Sequence, residues 1–311
     1  MDKVLYKNII ATVTYYDVLN YPLTSFEVWK YLIRASSDNT RDLWSLADIQ
    51  IALGEQEIMQ YVSQKNGMYF LFGRDELVAL RRQHEYISFV KMRKLRRIVS
   101  ILRISPFVRM ICVTGRLSYN NCDNNSDLDV LVTYEGEHIW TGRFCLTVLT
   151  HLLGVRRQDN KTNNRICLNY HITTKSLKVP TQDMFAAHEY TFITPLFDTG
   201  YFEKFCSENL SWIQNIKPHH KCPRIKSDLT IGDNVFTKGI RKFLEAILAD
   251  TAMEKRLEKL QLQKIQKNPK TKKEGALIMC NNNNLVFLPK PHGPIVFEEY
   301  KRRFDALEIN F

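Results

Sequence analysis

Several features that mark large protein classes are missing from this chain of 311 residues. Its seven cysteines are odd in number and scattered, and none is spaced as Cys-x-x-Cys. This pattern argues against a disulfide framework or a cysteine-rich zinc site and favours reduced thiols. No apolar run approaches the length of a membrane span, and the polar start Met-Asp-Lys-Val-Leu-Tyr-Lys does not resemble a signal peptide. We therefore expect a cytoplasmic protein with no membrane partner.

Three common motifs of nucleotide-binding and hydrolytic enzymes are also absent. The chain has no Gly-x-Gly-x-x-Gly, no Gly-x4-Gly-Lys-Ser/Thr and no Gly-x-Ser-x-Gly, so nothing points to those enzyme classes. His188-Glu189 fails as a zinc-protease motif because Phe192 stands where the second histidine is required. His219-His220 lies in a proline-flanked linker, which makes it a weak candidate for metal binding.

The chain does have an excess of basic residues, with a formal net charge of +11. Such an excess favours a polyanionic partner or substrate, although basic enzymes without a nucleic-acid role are common. The apolar fraction of 44% and the charged fraction of 25% are those of an ordinary globular protein. A length of 311 residues suits two or three domains.

Hydrophobic periodicity predicts an α/β (α+β) protein with four regions. In residues 1–74 the pattern predicts short helices followed by a turn and a strand, which resembles a winged-helix domain. A small helical cap that packs on the next domain is nearly as good an interpretation. Residues 75–106 predict a long basic connecting helix ended by Pro106, and residues 107–180 a core with a small mixed sheet. Residues 181–311 predict a mainly helical region, with one helix over Asp183–Phe197 and another from Lys238 to about Lys267.

The long connecting helix has two interpretations. Apolar residues at helical spacing predict a buried stripe, and the basic residues form a dense positive surface that is either a solvated face or a contact for phosphates. The basic residues are Arg81, Arg82, Lys91, Arg93, Lys94, Arg96 and Arg97.

Two aspartates one residue apart give the strongest functional signal. An apolar strand from Met110 to Val113 stops near Gly115, a polar loop follows, and a second strand begins with Asp127-Leu-Asp129. Because side chains alternate along a strand, both carboxylates point to one face of the sheet. Two like charges held so close favour a cation between them, and hard oxygen ligands suit Mg²⁺ or Mn²⁺.

A third strand is predicted over residues 165–173, after a polar, basic loop at 155–164. Strict alternation places Ile166, Leu168, Tyr170 and Ile172 on its apolar face. The same alternation places Cys167, Asn169 and His171 together on the opposite face, which is open to hold a ligand.

The strand, the glycine turn and Asp127-Leu-Asp129 resemble the nucleotidyltransferase superfamily that includes DNA polymerase beta. The resemblance covers about residues 108–173, and the outer segments resemble the extensions of uncharacterised bacterial members. It implies that Asp127 and Asp129 bind catalytic Mg²⁺ or Mn²⁺ and that Gly115 lines a triphosphate site. The glycine suits that role because it lets backbone amides approach phosphates.

Two positions depart from the family pattern. Arg116 stands where the family has Gly or Ser; it can bind phosphate or fill the pocket, and Ser118 can substitute as a hydroxyl donor. Asn169 stands where the family has a third carboxylate; it can offer an amide oxygen but cannot act as a base. The enzyme is then slow, inactive or dependent on another base such as His171.

Two functions from different classes follow. The first is a Mg²⁺-dependent nucleotidyltransferase that moves a nucleoside monophosphate from an NTP to an unknown acceptor, which could be a nucleic acid. Its expected catalytic residues are Asp127, Asp129 and Asn169, with Gly115, Arg116 and Ser118 at the nucleotide. The second is a nucleic-acid-binding or nucleotide-sensing regulator that keeps the fold without the turnover.

Overall fold

The computed structural model describes residues 2–35, 43–158 and 161–309, and within them the chain is a mixed α/β protein, as the sequence predicts. Residues 36–42 of the predicted N-terminal region and 159–160 of the predicted 155–164 loop lie outside the described residues. Among the helices of the described ranges, none combines the length and apolar character that spanning a bilayer would need.

The N-terminal region is a helical unit with a small antiparallel sheet. Capping boxes start two of its helices, Thr24 with Glu27 and Ser45 with Asp48. The strands are ordered β1-β3-β2, and the residues just after Lys65 form the turn between the last two. The elements are α1 (Lys3–Val18), β1 (Leu23–Thr24), α2 (Ser25–Lys30), α3 (Leu46–Leu53), α4 (Gln56–Met59), β2 (Val62–Lys65) and β3 (Met68–Leu71).

The long connecting helix is present as α5 (Glu76–Leu102), but its basic residues are not all on the surface. Arg81 is buried and forms a bidentate ion pair with Glu27 of α2, at 2.8 and 2.9 Å. Lys91 is also buried. The prediction that both lie on a basic surface is therefore wrong, because each side chain satisfies polar groups of a neighbouring segment. The other five basic residues predicted on this surface are exposed.

The main sheet has six strands in the order β7-β4-β5-β6-β9-β8. Strands β5 and β6 run parallel, and the other neighbouring pairs run antiparallel. Three of the strands come from the region predicted to be mainly helical. The strands are β4 (Val108–Val113), β5 (Leu128–Tyr134), β6 (Ile166–Thr173), β7 (Thr194–Asp198), β8 (Leu277–Cys280) and β9 (Asn284–Leu288).

Two predicted helices are each divided. The segment predicted as one helix over Asp183–Phe197 is α8 (Met184–Thr191) followed by β7, because residues 194–198 pair with the edge of β4. The segment predicted from Lys238 to about Lys267 is α10 (Val235–Leu248) and α11 (Thr251–Lys267), with Asp250 capping the second helix. The remaining helices are α6 (Gly115–Ser118), α7 (Ile139–Leu152), α9 (Phe202–Ile216), a 3₁₀ helix (Pro269–Lys272) and α12 (His292–Asp305).

Helices cover both faces of the main sheet. One face packs on α5 and α7, through residues such as Val130, Leu95 and Trp140. The other face packs on α8 and α9, through residues such as Leu131 and Tyr190. Helix α12 packs against α1 and α8, so the C-terminal helix joins the N-terminal unit to the main sheet. The candidate site lies at the edge where β4 ends and β5 begins.

Candidate metal and nucleotide site

The glycine turn predicted after β4 is present at Gly115. Its φ of +61° lies in the left-handed region that glycine adopts without strain. A Cβ built on this residue would lie 2.7 Å from Oδ2 of Asp129, a separation that two such atoms do not adopt. Two requirements, the backbone conformation and the contact with the aspartate, therefore both select glycine here.

The two aspartates lie on the face that alternation predicts. Leu128, Val130 and Val132 pack into the core beneath α5 and α7, so Asp129 points away from that core. Asp127 comes immediately before β5. Burial, followed by repulsion from the Asp127 carboxylate, raises the pKa of Asp129 to about 7. Ionising both aspartates is therefore unfavourable, and a bound cation would offset their repulsion.

Strand β6 places Cys167 beside Asp129. A β-bulge that follows changes which side chains of β6 share a face of the sheet. Asp129 pairs with Cys167 but Leu131 pairs with Tyr170, so Leu168 and Asn169 oppose one residue of β5. Such an extra residue reverses the alternation beyond it. Ile166 and Leu168 accordingly pack in one core and Tyr170 and Ile172 in the other, and the prediction that all four share a face is wrong.

The bulge also separates His171 from the site. Its ring is fully buried, within hydrogen-bonding distance of the Tyr134 hydroxyl (3.1 Å) and the Leu168 carbonyl (3.1 Å). Tyr134 belongs to the core beneath α5 and α7, so His171 lies on the sheet face opposite the aspartates. Burial lowers the pKa of His171 well below its usual value. The expectation that His171 could replace the missing base is therefore wrong.

Asn169 lies within the bulge and is partly buried. Its amide makes no hydrogen bond to any residue within the described ranges 2–35, 43–158 and 161–309. Cys167, not Asn169, occupies the register position beside Asp129. The structure brings oxygen atoms of Asp127 and Asp129 and the sulfur atom of Cys167 within 4.8 Å of one another.

Arg157, which the sequence did not single out, is the cation at this cluster. Its Nη1 donates to Oδ2 of Asp127 at 2.5 Å and contacts Sγ of Cys167 at 3.2 Å. The Arg157 side chain is 44% exposed, whereas that of Asp127 is 18% exposed. Only its place in a basic loop before β6 could have suggested the residue, because the pairing depends on how the loop folds back.

Arg116 and Ser118 are turned towards neighbouring backbone and loop groups. Arg116 donates to the Asn121 carbonyl at 2.8 Å and pairs with Asp123 at 2.6 Å. It forms no ion pair with Asp127 or Asp129 among the described residues. Ser118 donates its hydroxyl to the Gly115 carbonyl at 2.8 Å. Both residues thus stabilise the segment that follows the glycine turn, and their contact with a nucleotide stays a prediction.

Glu189 of α8 is a third carboxyl group at the site, and it was missed by sequence reasoning. The pairing of Val113 with Thr194 brings the end of α8 to the end of β4, and His188 packs edge-on against Tyr119, 4.6 Å away, just after α6. Burial, followed by repulsion from Asp129, raises the pKa of Glu189 to about 8, and the Gly115 backbone amide partly offsets this. Glu189 forms no ion pair with any basic residue that the structure describes.

Lys91 holds the loop that leads into the aspartates. Its Nζ donates to the carbonyl groups of Asn124 (3.1 Å) and Ser126 (2.8 Å) and to the amide oxygens of Asn163 (3.1 Å) and Asn164 (3.1 Å). These four neutral oxygens satisfy the buried ammonium group without cancelling its charge. Backbone carbonyls of the loop before β5 and asparagine side chains of the loop before β6 therefore both bind α5.

The arrangement can bind a cation and an anionic ligand side by side. Asp127, Asp129 and Glu189 carry three negative charges when ionised, and Arg157 compensates for one. The two remaining charges match one divalent cation, and the partly exposed Arg157 guanidinium can meet an anionic group beside it. No family model, curated protein or solved structure matches the chain, so the chemistry of these residues has to carry the functional conclusion.

Proposed function

We propose that the protein is a divalent-metal-dependent nucleotidyltransferase that moves a nucleoside monophosphate from an NTP to an acceptor hydroxyl or amine. The observation that carries the proposal is the convergence of Asp127 and Asp129 beside the left-handed glycine turn at Gly115. The resemblance of this stretch to the polymerase beta superfamily also supports it, and the stretch runs from β4 through the Gly115 turn to β5.

The residues present fit a divalent cation. Asp127 and Asp129 offer carboxylate oxygens, and the raised pKa of Asp129 indicates a carboxyl group that gains from a nearby positive charge. A bound Mg²⁺ or Mn²⁺ would supply charge neutralisation for the phosphates of the NTP. Arg157 already pairs with Asp127, and a guanidinium released from that pair is suited to a phosphate.

In the proposed reaction, the acceptor oxygen or nitrogen forms a bond to the α-phosphorus and the bond to the β-phosphate oxygen breaks. Pyrophosphate leaves, and the acceptor loses a proton. We assign that proton to Glu189, because its pKa of about 8 suits a base near neutral pH and because Asn169 cannot accept a proton. Arg116 and Ser118 keep the segment after Gly115 in place.

Thermal unfolding with a panel of NTPs and Mg²⁺ or Mn²⁺ tests the proposal. An NTP that binds the folded protein at about 100 times its dissociation constant adds about 2.7 kcal/mol, which raises the melting temperature by several degrees. The Asp127→Asn/Asp129→Asn variant keeps the side-chain shapes and should lose this gain. Release of pyrophosphate should depend on the same two residues.

A panel in which no NTP stabilises the wild-type protein with either metal would overturn the proposal. Stabilisation by an NTP, without release of pyrophosphate from that NTP with any acceptor tested, would instead leave a nucleotide-binding protein. Where pyrophosphate is released, Glu189→Gln tests the assigned base. The variant should reduce turnover at least about 100-fold while NTP binding persists.

A nucleic-acid-binding regulator remains the second candidate, and exposed basic residues favour it. Arg82, Arg93, Lys94, Arg96 and Arg97 are exposed along α5. The short helices and small sheet of the N-terminal unit support the resemblance to a winged helix on which this function partly rests. Helices α3 and α4, the two short helices just before β2, have no Lys or Arg. We therefore expect α5 to supply the contacts with phosphates. Binding that weakens steeply with salt and survives loss of both aspartates would favour this function, and no binding at low salt would exclude it.

A further inference from the structure

Cys167 gives the carboxylate pair a soft third donor. We propose that Asp127, Asp129 and Cys167 form a site for a thiophilic divalent cation, of the class of Zn²⁺, Co²⁺ and Cd²⁺, and that such a cation displaces Arg157. The inference shares two aspartates with the proposed function but does not require nucleotide transfer. It deepens that function by naming the metal class that competes for the same carboxylates.

The donor set differs from one made of oxygen alone. Mg²⁺ gains little from a sulfur ligand, whereas Zn²⁺ and its spectroscopic substitutes bind thiolate strongly. Cys167 is buried, 2% exposed, and the β5–β6 register holds it directly beside Asp129. The sulfur is therefore oriented by two strands of the main sheet.

Arg157 marks a position for positive charge inside the cluster. One guanidinium nitrogen contacts both the Asp127 carboxylate (2.5 Å) and the Cys167 sulfur (3.2 Å). A cation thus already bridges an oxygen and a sulfur donor of the three. Because the Arg157 side chain is 44% exposed and belongs to a loop, it can leave without disturbing the core.

The three donor atoms need to move only slightly closer together to bind one ion. Zinc binds oxygen at about 2.0 Å and sulfur at about 2.3 Å, so two donors of one tetrahedral ion lie about 3.5 Å apart. The three donor atoms here all lie within 4.8 Å of one another. Rotation of the two carboxylates can supply the difference, and water or a substrate oxygen can complete the coordination. Binding would release the thiol proton to solvent, so one Cys167–metal bond replaces one S–H bond.

Titration with Co²⁺, followed by near-ultraviolet absorption, tests the proposal. Thiolate bound to Co²⁺ gives a charge-transfer band that oxygen ligands do not give. We expect the wild-type protein to show this band, Cys167→Ser to lose it, and Asp129→Asn to weaken the Co²⁺ affinity about tenfold or more. Arg157→Gln should tighten binding about fivefold, because a competing charge a few ångströms away is removed.

Cys206 and Cys222 provide the control. Their thiols lie close enough to interact, so this pair is another potential source of the same band. In a Cys222→Ser variant the band should persist with unchanged affinity. A band lost in Cys222→Ser and retained in Cys167→Ser would overturn the proposal.

The remaining outcomes separate this inference from the proposed function. Absence of any charge-transfer band in the folded wild-type protein overturns the thiophilic site, whatever NTPs bind with Mg²⁺. A Cys167-dependent band without any NTP binding supports the thiophilic site and contradicts the transferase. If both are correct, Cd²⁺ should inhibit the Mg²⁺-dependent reaction of the wild-type protein at least about tenfold more strongly than that of Cys167→Ser.

Discussion

Two glycines with nearly the same backbone conformation have different tasks in this chain. Gly115 has φ +61° and lies against Asp129, whereas Gly154 has φ +63° with no atom within 4 Å of a built Cβ. Alanine at Gly154 should cost about 1 kcal/mol, the strain of a left-handed residue. Alanine at Gly115 should cost about 1 kcal/mol more and should also weaken Mn²⁺ binding, because the methyl group displaces the Asp129 carboxylate.

Urea unfolding of both variants and Mn²⁺ titration measure this difference. Gly154→Ala serves as the matched control, since it introduces the same strain without touching a site residue. Equal losses of stability in the two variants, with unchanged Mn²⁺ affinity in Gly115→Ala, would show that the approach to Asp129 has no consequence for the site.

At the scale of single residues, the sequence predicts the parts of the site that are close in the chain. Gly115 begins α6 just after β4, Asp127 immediately precedes β5, and Asp129 lies on β5. Alternation correctly gives the direction of Asp129, which points away from the core beneath α5 and α7. Arg157 and Glu189 arrive from a loop and from α8. Nothing in their local sequence reports the contact, because it depends on how the loop before β6 folds back and on the pairing of β7 with β4.

At the scale of elements, the failures have a common origin in pairing over long distances. The bulge at Leu168–Asn169 changes the side-chain faces of β6, although the sequence there alternates regularly. Residues 194–198 continue a plausible helical pattern and become a strand because β4 offers an edge. Helix α5, whose apolar stripe is a local feature, is instead predicted, and its observed start at Glu76 lies one residue after the predicted start.

Helix α10 inverts the usual relation between apolar side chains and the core. Phe236 and Phe243 are 75% and 66% exposed, while Arg241 is buried against Asp233 and the Arg103 carbonyl. On the same inner side Glu245 pairs with Arg109 at 2.7 Å. Ion pairs, and not apolar contacts, therefore fix the orientation of this helix.

The inversion predicts an unusual pair of mutational effects. Arg241→Ala should lower the free energy of unfolding by about 2 kcal/mol, because it removes the ion pair with Asp233 and the hydrogen bond to the Arg103 carbonyl. Phe243→Ser, two residues along the helix and on its exposed side, should change the free energy of unfolding by no more than about 0.5 kcal/mol. Urea unfolding of the two variants checks both values. A larger loss in Phe243→Ser would mean that the apolar side faces the core.

At the scale of the whole molecule, the buried Lys217 connects the N-terminal unit to the segment after α9. Its Nζ donates to the Tyr16 hydroxyl of α1 at 2.8 Å and lies 5.0 Å from the centre of that ring. The residue is fully buried, and no carboxylate of the described residues pairs with it. Burial lowers the pKa of Lys217 to about 7. The folded protein therefore holds a neutral amine over much of the alkaline range.

This burial predicts how stability depends on pH. Between pH 7 and the unfolded value near 10.5, the unfolded chain binds a proton at Lys217 that the folded protein does not. The free energy of unfolding contributed by this residue should then rise with pH, by up to about 1.4 kcal/mol per unit. Lys217→Met removes the contribution and keeps the length of the side chain. The variant should be more stable than the wild type at pH 7, and its advantage should shrink by about 2 kcal/mol at pH 9.

Urea unfolding of both proteins at pH 7, 8 and 9 measures the change in that advantage. The neighbouring His188 and His220 stay neutral in this range in both proteins, because burial, the largest cause for each ring, lowers its pKa. Their contributions therefore cancel in the difference. A difference that stays constant from pH 7 to 9 would mean that Lys217 remains charged in the fold. The rings of Tyr16 and Tyr31, 5.0 and 5.8 Å away, would then stabilise the ammonium group as a cation–π pair.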